Sequence, residues 1–323
     1  MVSEWAEGGA AKRAVDILMI THNRPDYTRL ALSRLLDSCD ETMRVWLWHN
    51  GDHAPTLEAV RESSEHPRVH RFHVSPDNRK LREPTNWVLE EGDGTYFAKV
   101  DDDCLVVHGW HRSLIAALES DERMGIAACW HFQQSDFNPA LASHKIQEFA
   151  DGQKVMLNRW VQGSGIMMKR TCIEACGSIP KRCNSFTPYC TMIFEAGWKL
   201  GWPLPLVPIE HMDDPRSPHC RFKSEADFAE NPPLGASFGG VRSLAEWTER
   251  VKWLAREVQA APLDPKASRG WREFSKRMGK RVKRGLGIEP AWRVAARKES
   301  SSPSRSGGSS WSSGSSSRCG PWR

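Results

Sequence analysis

Three consecutive aspartates, Asp101, Asp102 and Asp103, stand in KVDDDCLV (99–106), directly after a run of apolar and branched residues. Adjacent carboxylates repel one another, and they cannot be buried unpaired at neutral pH, so this loop needs positive charge close by. A tight cluster of carboxylates suits a hard divalent cation, Mg²⁺ or Mn²⁺, which prefers oxygen ligands and keeps waters and substrate phosphates in its shell. A solvated acidic turn capping the next helix would carry the same residues, and the aspartates alone do not separate the two. Two further stretches, THNRP (21–25) and WHNGDH (48–53), offer loop amides and short polar side chains suited to a nucleotide.

The elements around these residues decide whether they meet. DILMIT (16–21), RVWLWH (44–49), VHRFHV (69–74) and TYFAKV (95–100) read as strands. Between them, 26–36 carries Leu30, Leu32, Leu35 and Leu36 on a helical face, and 54–62 and 84–91 are shorter helical candidates. Strands separated by helices predict a mostly parallel α/β sheet covered on both faces. The aspartates then fall at the carboxyl end of the fourth strand, where open α/β sheets bind their ligands. Further along, MGIAACWHF (124–132), GSGIMMK (163–169) and PLPLVPIEH (203–211) read as extended. Thr187 is an expected N-cap, with Pro188 opening a helix that ends near Gly197. Leu244, Trp247, Val251, Leu254 and Val258 mark one face of a long helix packed on the body. Trp46, Trp48, Trp87, Trp130 and Trp160 are expected in the core.

Composition sets the outer bounds. Of 323 residues, 39% are hydrophobic and 26% charged, which suits a soluble globular chain. No apolar run approaches the ~18 residues of a membrane span, and MVSEWAEGGAAKRAV does not read as a signal peptide, so the expected location is cytoplasmic. The net charge of +5 is unevenly placed: 269–298 holds eleven Arg or Lys against Glu273 and Glu289, leaving the remainder mildly acidic. A nucleic-acid partner for the main body thereby loses its support. Nine scattered cysteines form no framework, and the spacing of Cys172, Cys176, Cys183 and Cys190 fits no common zinc pattern.

The composition divides the chain into a globular domain at 12–262, a basic helical extension at 263–299 and a Ser/Gly-rich tail at 300–323 expected to be disordered. Trp271, Phe274, Met278, Val282 and Leu286 form a stripe flanked by positive charge, the pattern of a helix lying on an anionic membrane surface. Such a helix would make the protein peripheral on the inner face of the membrane.

From about Val15 to about His219 the chain resembles the inverting glycosyltransferases of the family 2 type, with the GT-A fold, a Rossmann-like α/β sandwich. VDILMITHNRPDYTRLALSRLL is similar to that family's opening strand and helix, VWLWHNGDH to its second strand and loop, and PDNRKLREPTNWVLEEGDGTYFAKVDDD to the stretch leading into its metal-binding Asp-x-Asp. The resemblance implies that Thr21, Asn23 and Arg24 line the base and ribose pocket, with Asn50, Asn78 and Asn86 on the nucleotide side. It implies that Asp101 and Asp103 are the acids of the Asp-x-Asp, with Asp103 nearest the metal and Asp102 turned away. His211 sits where many such enzymes place a further metal ligand, and Gly163 to Gly165 would lie near the sugar. The implied activity is metal-dependent transfer from a nucleotide-diphosphate sugar to a hydroxyl of a glycan or lipid-linked intermediate. A cation bridging the diphosphate would neutralise charge on that leaving group.

Two positions depart from the pattern. His49 stands where many relatives carry an aspartate that holds the nucleotide base. NSFTPYC (184–190) has no acid where the family's general base stands, leaving Glu195, Asp213 and Asp214 as candidates. Two rival activities follow: a nucleotidyltransferase, against which THNRPDY has no glycine, and a catalytically silent sugar-nucleotide binder. Sugar, acceptor and linkage depend on pocket shape rather than on these motifs.

Overall fold

The computed structural model describes residues 15–183, 185–264 and Arg293. Its strands are β1 (Val15–Thr21), β2 (Met43–Asn50), β3 (Val69–Ser75), β4 (Tyr96–Lys99), β5 (Cys104–Val106), β6 (Met124–Ala128), β7 (Ile146–Glu148), β8 (Lys154–Asn158), β9 (Ile166–Lys169), β10 (Lys199–Leu204) and β11 (Ile209–His211). Among the described residues, nine of them form one sheet in the order β3-β2-β1-β4-β9-β6-β10-β8-β7, and β11 pairs with β5 in a second ribbon. β3, β2, β1 and β4 run parallel, as do β6 and β10; β9 is antiparallel to both neighbours, and β8 and β7 are antiparallel additions. The expected mostly parallel α/β sheet flanked by helices is what the chain forms.

The central strands read as continuous apolar runs because helices cover both of their faces; β2 is buried along its whole length. The helix Pro25–Asp37 opens with proline in its first turn, has Asp26 near its amino end and Arg34 near its carboxyl end, and buries Ala31, Leu32, Leu35 and Leu36. The helix Leu244–Ala260 buries Trp247, Val251, Ala255 and Val258. Trp46, Trp110, Trp130 and Trp202 are fully buried. Trp48 is core as well, with Trp87 and Trp160 partly buried against it.

Several boundaries differ from expectation. The extended stretch 203–211 is two strands, because Pro205 and Pro208 interrupt it and donate no N–H to a ladder. MGIAACWHF ends as a strand at Ala128, and Trp130 continues only as an isolated parallel bridge to Pro208. The helix at 186–195 begins at Phe186 after Ser185, one residue before the expected cap Thr187. Helices at Trp110–Glu119 and Arg170–Cys176 add to those read from the sequence, as do β5, β7 and β8. No helix among the described residues is long and apolar enough to cross a membrane. Most of the basic extension and all of the Ser/Gly tail lie outside the described residues, so the amphipathic stripe does too. Of residues 269–298, Arg293 alone is described, donating to the Gly240 carbonyl at 2.9 Å and to Glu246 at 2.7 Å.

One buried charge pins the start of the sheet. Asp16, fully buried on β1, accepts hydrogen bonds from Arg44, from Trp46 Nε1 at 2.8 Å and from the Gly94 N–H at 2.8 Å. A Cβ on Gly92 would lie 2.6 Å from Asp16 Oδ2, so the EGDGT turn can wrap the carboxylate only as glycine. Burial pushes the Asp16 carboxyl up, but Arg44, the Gly94 N–H and Trp46 outweigh it and hold it below 3.8. Its stabilisation is therefore complete above the unfolded value and is lost only as pH falls toward the folded one. Asp16→Ala would take from Arg44 its buried partner, leaving only the exposed Asp93, and would strand two buried N–H donors. It should cost about 3–5 kcal/mol in denaturant unfolding at pH 7. A loss below about 1 kcal/mol, the scale of an exposed pair, would contradict this.

Candidate active site

The carboxyl ends of β1 and β4 bring THNRP and the three aspartates face to face. Asp102 turns toward the first loop, its Oδ2 accepting from the His22 N–H at 3.1 Å and from Thr28 Oγ1 at 3.2 Å. Asp103 turns the other way. Arg24 Nη1 donates to its Oδ2 at 2.6 Å and lies 3.4 Å from Asp213 Oδ2, while His211 Nε2 lies 3.7 Å from the same Asp103 oxygen. Asp101 pairs with Lys99, whose Nζ also donates to the Gly163 carbonyl at 2.9 Å, and the Asp101 N–H donates to Ser164 Oγ at 2.9 Å. The Gly163–Gly165 stretch thus touches the acidic loop.

His211 and Asp213 arrive from far along the chain. Antiparallel pairing of β11 with β5 sets His211 opposite Cys104, and the Met212 N–H donates to the Asp103 carbonyl at 2.8 Å. Two side chains hold the backbone that follows: Tyr27 Oη donates to the Met212 carbonyl at 2.9 Å and Trp247 Nε1 to the Asp213 carbonyl at 2.7 Å. The site is thereby tied to the first helix and to the long C-terminal one.

The electrostatics follow from burial against these partners. Burial raises the Asp103 carboxyl, but the His211 hydrogen bond and Arg24 outweigh it and hold it well below the usual range. His211 moves up in turn, because Asp103 outweighs the burial that would lower it. Burial, with the like charge of Asp103, raises the Asp213 carboxyl against the pull of Arg24. Asp102, 8% exposed, is pushed up to about 7 by burial, Arg24 opposing and Asp103 adding to the rise.

The remaining sequence candidates are placed as follows. Thr21 Oγ1 lies 2.9 Å from His49 Nδ1, both residues buried beneath the first loop. Asn23 is exposed with φ +52°, and Asn78 Nδ2 lies 3.1 Å from His22 Nε2. Asn50 accepts from Trp48 Nε1 at 3.0 Å and from the Arg79 N–H at 2.9 Å, and donates to the Lys80 carbonyl at 3.1 Å. Asn86 exchanges hydrogen bonds of 2.8 and 3.0 Å with the Ile179 backbone. Both amides brace the fold. Asp214 is clamped by Arg216, whose Nη2 donates to it at 2.7 Å and which bridges to Asp136. Glu195 is exposed at the last turn of a helix that starts beside Gly163.

Among the described residues, two sets of three ligand atoms lie within 4.8 Å of one another: Asp103, His211 and Asp213, and Cys104, His131 and His211. The first set fits a divalent cation. It offers two carboxylates and an imidazole, and Asp213 Oδ1 is buried with no hydrogen-bond partner. Asp101, which the resemblance implied as a ligand, belongs to neither set, whereas Asp213 belongs to the first. No sequence signal pairs β5 with β11, so Asp213, Cys104 and His131 were not legible as neighbours. Cys172, Cys176, Cys183 and Cys190 form no ligand set among the described residues.

Asp102 supplies a pH test. Between 3.8 and about 7 the folded state holds a proton that the unfolded chain has released, so stability falls as pH rises through that window. Asp102→Asn should flatten the dependence of melting temperature on pH across this window while keeping the fold. A mutant profile parallel to wild type would contradict it.

Comparison with known proteins bears on the whole arrangement. Residues 16–176 match the family model described as "Glycosyl transferase family 2". No curated protein matches the chain. Among solved structures, the mannosyltransferase PcManGT from Pyrobaculum calidifontis, in complex with GDP-Man and Mn²⁺, is similar with a TM-score of 0.54 at 16% identity, covering 90% of this chain and 84% of that one. That likeness is one of fold. With the sheet order and the loop of aspartates, these findings establish that the chain carries a glycosyltransferase family 2 domain with the GT-A fold.

Proposed function

We propose that this protein moves a sugar from a nucleotide-diphosphate donor to an acceptor hydroxyl of a glycan or lipid-linked intermediate, with inversion and with the help of Mg²⁺ or Mn²⁺. The observation that carries the reading is the convergence of Asp103, His211 and Asp213 at the carboxyl end of β4, inside a family 2 domain. The GDP-Man and Mn²⁺ bound by PcManGT support a donor and metal of this kind.

When bound, the cation would neutralise charge developing on the departing diphosphate. The chain's own residues do the rest. Asp103, His211 and Asp213 would hold the cation, and Arg24 sets a fixed positive charge beside these acids, where the phosphates would lie. Asp102 fixes the loop through the His22 N–H and Thr28. Thr21, Asn23 and Asn78 edge the first loop, on the side this reading gives to the nucleoside.

In an in-line displacement with inversion, the base stands across the anomeric carbon from the leaving group. Asp213 lies with the metal ligands on the leaving-group side, so this reading makes it a ligand rather than the base. Asp214 is held by Arg216 and Glu195 lies at the far end of its helix, so neither is assigned the base's role.

Incubation with a panel of nucleotide-diphosphate sugars and Mn²⁺ tests the reading. Free nucleoside diphosphate is the expected product; pyrophosphate would indicate a nucleotidyltransferase, and neither product a silent binder. Asp103→Asn should abolish turnover and the rise in melting temperature produced by Mn²⁺ with nucleoside diphosphate. A mutant that keeps the full rise would overturn the metal assignment. Asp213→Asn should weaken Mn²⁺ binding by about 10- to 100-fold, and Glu195→Gln should leave turnover unchanged.

A further inference from the structure

Two members of the second ligand set, Cys104 and His131, have no part in the proposed sugar transfer; the third, His211, belongs to both sets. The three come together through backbone pairing alone. β5 and β11 set Cys104 opposite His211 on the ribbon, so both side chains leave the same face. The chain after β6 runs parallel to the approach to β11, with the Trp130 N–H donating to the Val207 carbonyl at 2.7 Å and the Ile209 N–H donating to the Trp130 carbonyl at 3.2 Å. This brings His131 beside His211, their ring centroids 4.1 Å apart and their planes inclined by 37°. Cys104 is buried, and the Nδ1 atom of His131 is buried with no hydrogen-bond partner. A cavity of about 300 Å³, lined by Leu105, His131, Phe132, Ile209, Glu210 and His211, opens alongside.

We propose that Cys104, His131 and His211 form a second metal site, selective for a borderline-soft cation such as Zn²⁺, and that it excludes the cation of the first site because both need His211. One sulfur and two imidazole nitrogens within 4.8 Å of one another can converge on a small tetrahedral ion, whose fourth position water would fill. The donor set decides the selectivity. Thiolate and imidazole favour Zn²⁺ or Co²⁺, whereas two carboxylates and an imidazole accept Mg²⁺ or Mn²⁺. Coordination replaces the Cys104 S–H bond with an S–metal bond and releases one proton to solvent. A neutral imidazole offers one lone pair, its other nitrogen carrying the N–H, so His211 serves one ion at a time and makes the two occupancies alternative. The consequence is inhibition by Zn²⁺ through loss of the catalytic cation, without any contact between Zn²⁺ and the donor.

The soft site stands without the sugar-transfer reading; the exclusion rests on His211 serving the first cation. The two are tested separately on the full chain after chelator treatment. Titration with Co²⁺ should produce a near-ultraviolet thiolate-to-cobalt charge-transfer band. Cys104→Ser should abolish that band, and His131→Gln should weaken Co²⁺ affinity by at least about tenfold. Asp213→Asn should retain the band, since the first site contains no sulfur. Absence of the band in wild type at saturating Co²⁺, or its persistence in Cys104→Ser, would overturn the site. If Cys104→Ser fails to fold by circular dichroism, His131→Gln decides, and unchanged Co²⁺ affinity in that variant overturns it. For the exclusion, Mn²⁺ binding is followed by electron paramagnetic resonance. Zn²⁺ should raise the apparent Kd for Mn²⁺ more in wild type than in His131→Gln, where only direct competition at the first site is left. Equal Mn²⁺ binding with and without Zn²⁺ would overturn the sharing of His211.

Discussion

The structure turns on the placement of Arg24 between Asp103 and Asp213. Two unit charges about 4 Å apart interact by roughly 4 kcal/mol at the effective dielectric of a protein surface, so carboxylates cannot gather there without cations. Each acid at this edge has its own partner. Arg24 and His211 answer Asp103, Lys99 answers Asp101, Arg216 answers Asp214, and Asp102 is met by an N–H and a hydroxyl. The Arg24 contact is the one among these that ties three segments together. It joins the loop after β1 to the loop after β4 and to the chain after β11, three pieces up to 189 positions apart. Without that charge the three loops would repel.

Much of this was legible in the sequence because it is local. The buried parallel strands announce themselves as apolar runs with few polar residues, and the amphipathic helices by their spacing. DILMIT and RVWLWH sit within one or two residues of β1 and β2, and the aspartates follow β4 as expected. The acidic loop, its need for a cation and the candidacy of His211 could all be named from residue types and the family pattern.

What could not be read depends on pairing across long separations. β5 and β11 are three residues each, too short to signal themselves, yet their register sets His211 beside Asp103 and Cys104. Asn50 and Asn86 show the opposite failure. Their residue type and position suit a nucleotide, but in three dimensions their amides meet backbone groups of neighbouring loops. A polar side chain in a loop is defined by what it meets, and the sequence does not record that.

The indole of Trp247 carries a consequence for where the working unit ends. The family match stops at 176, yet His211 and Asp213 lie beyond it, and the carbonyl of Asp213 is held by a tryptophan on the helix Leu244–Ala260. A fragment cut to the matched region would retain every strand of the large sheet but β10, and would lack His211 and Asp213, two of the three clustered side chains. A cut just before 244 would retain all three side chains and lose the strut behind one of them. The smallest piece that keeps the site whole therefore runs to the end of that helix, well past the boundary that sequence similarity marks.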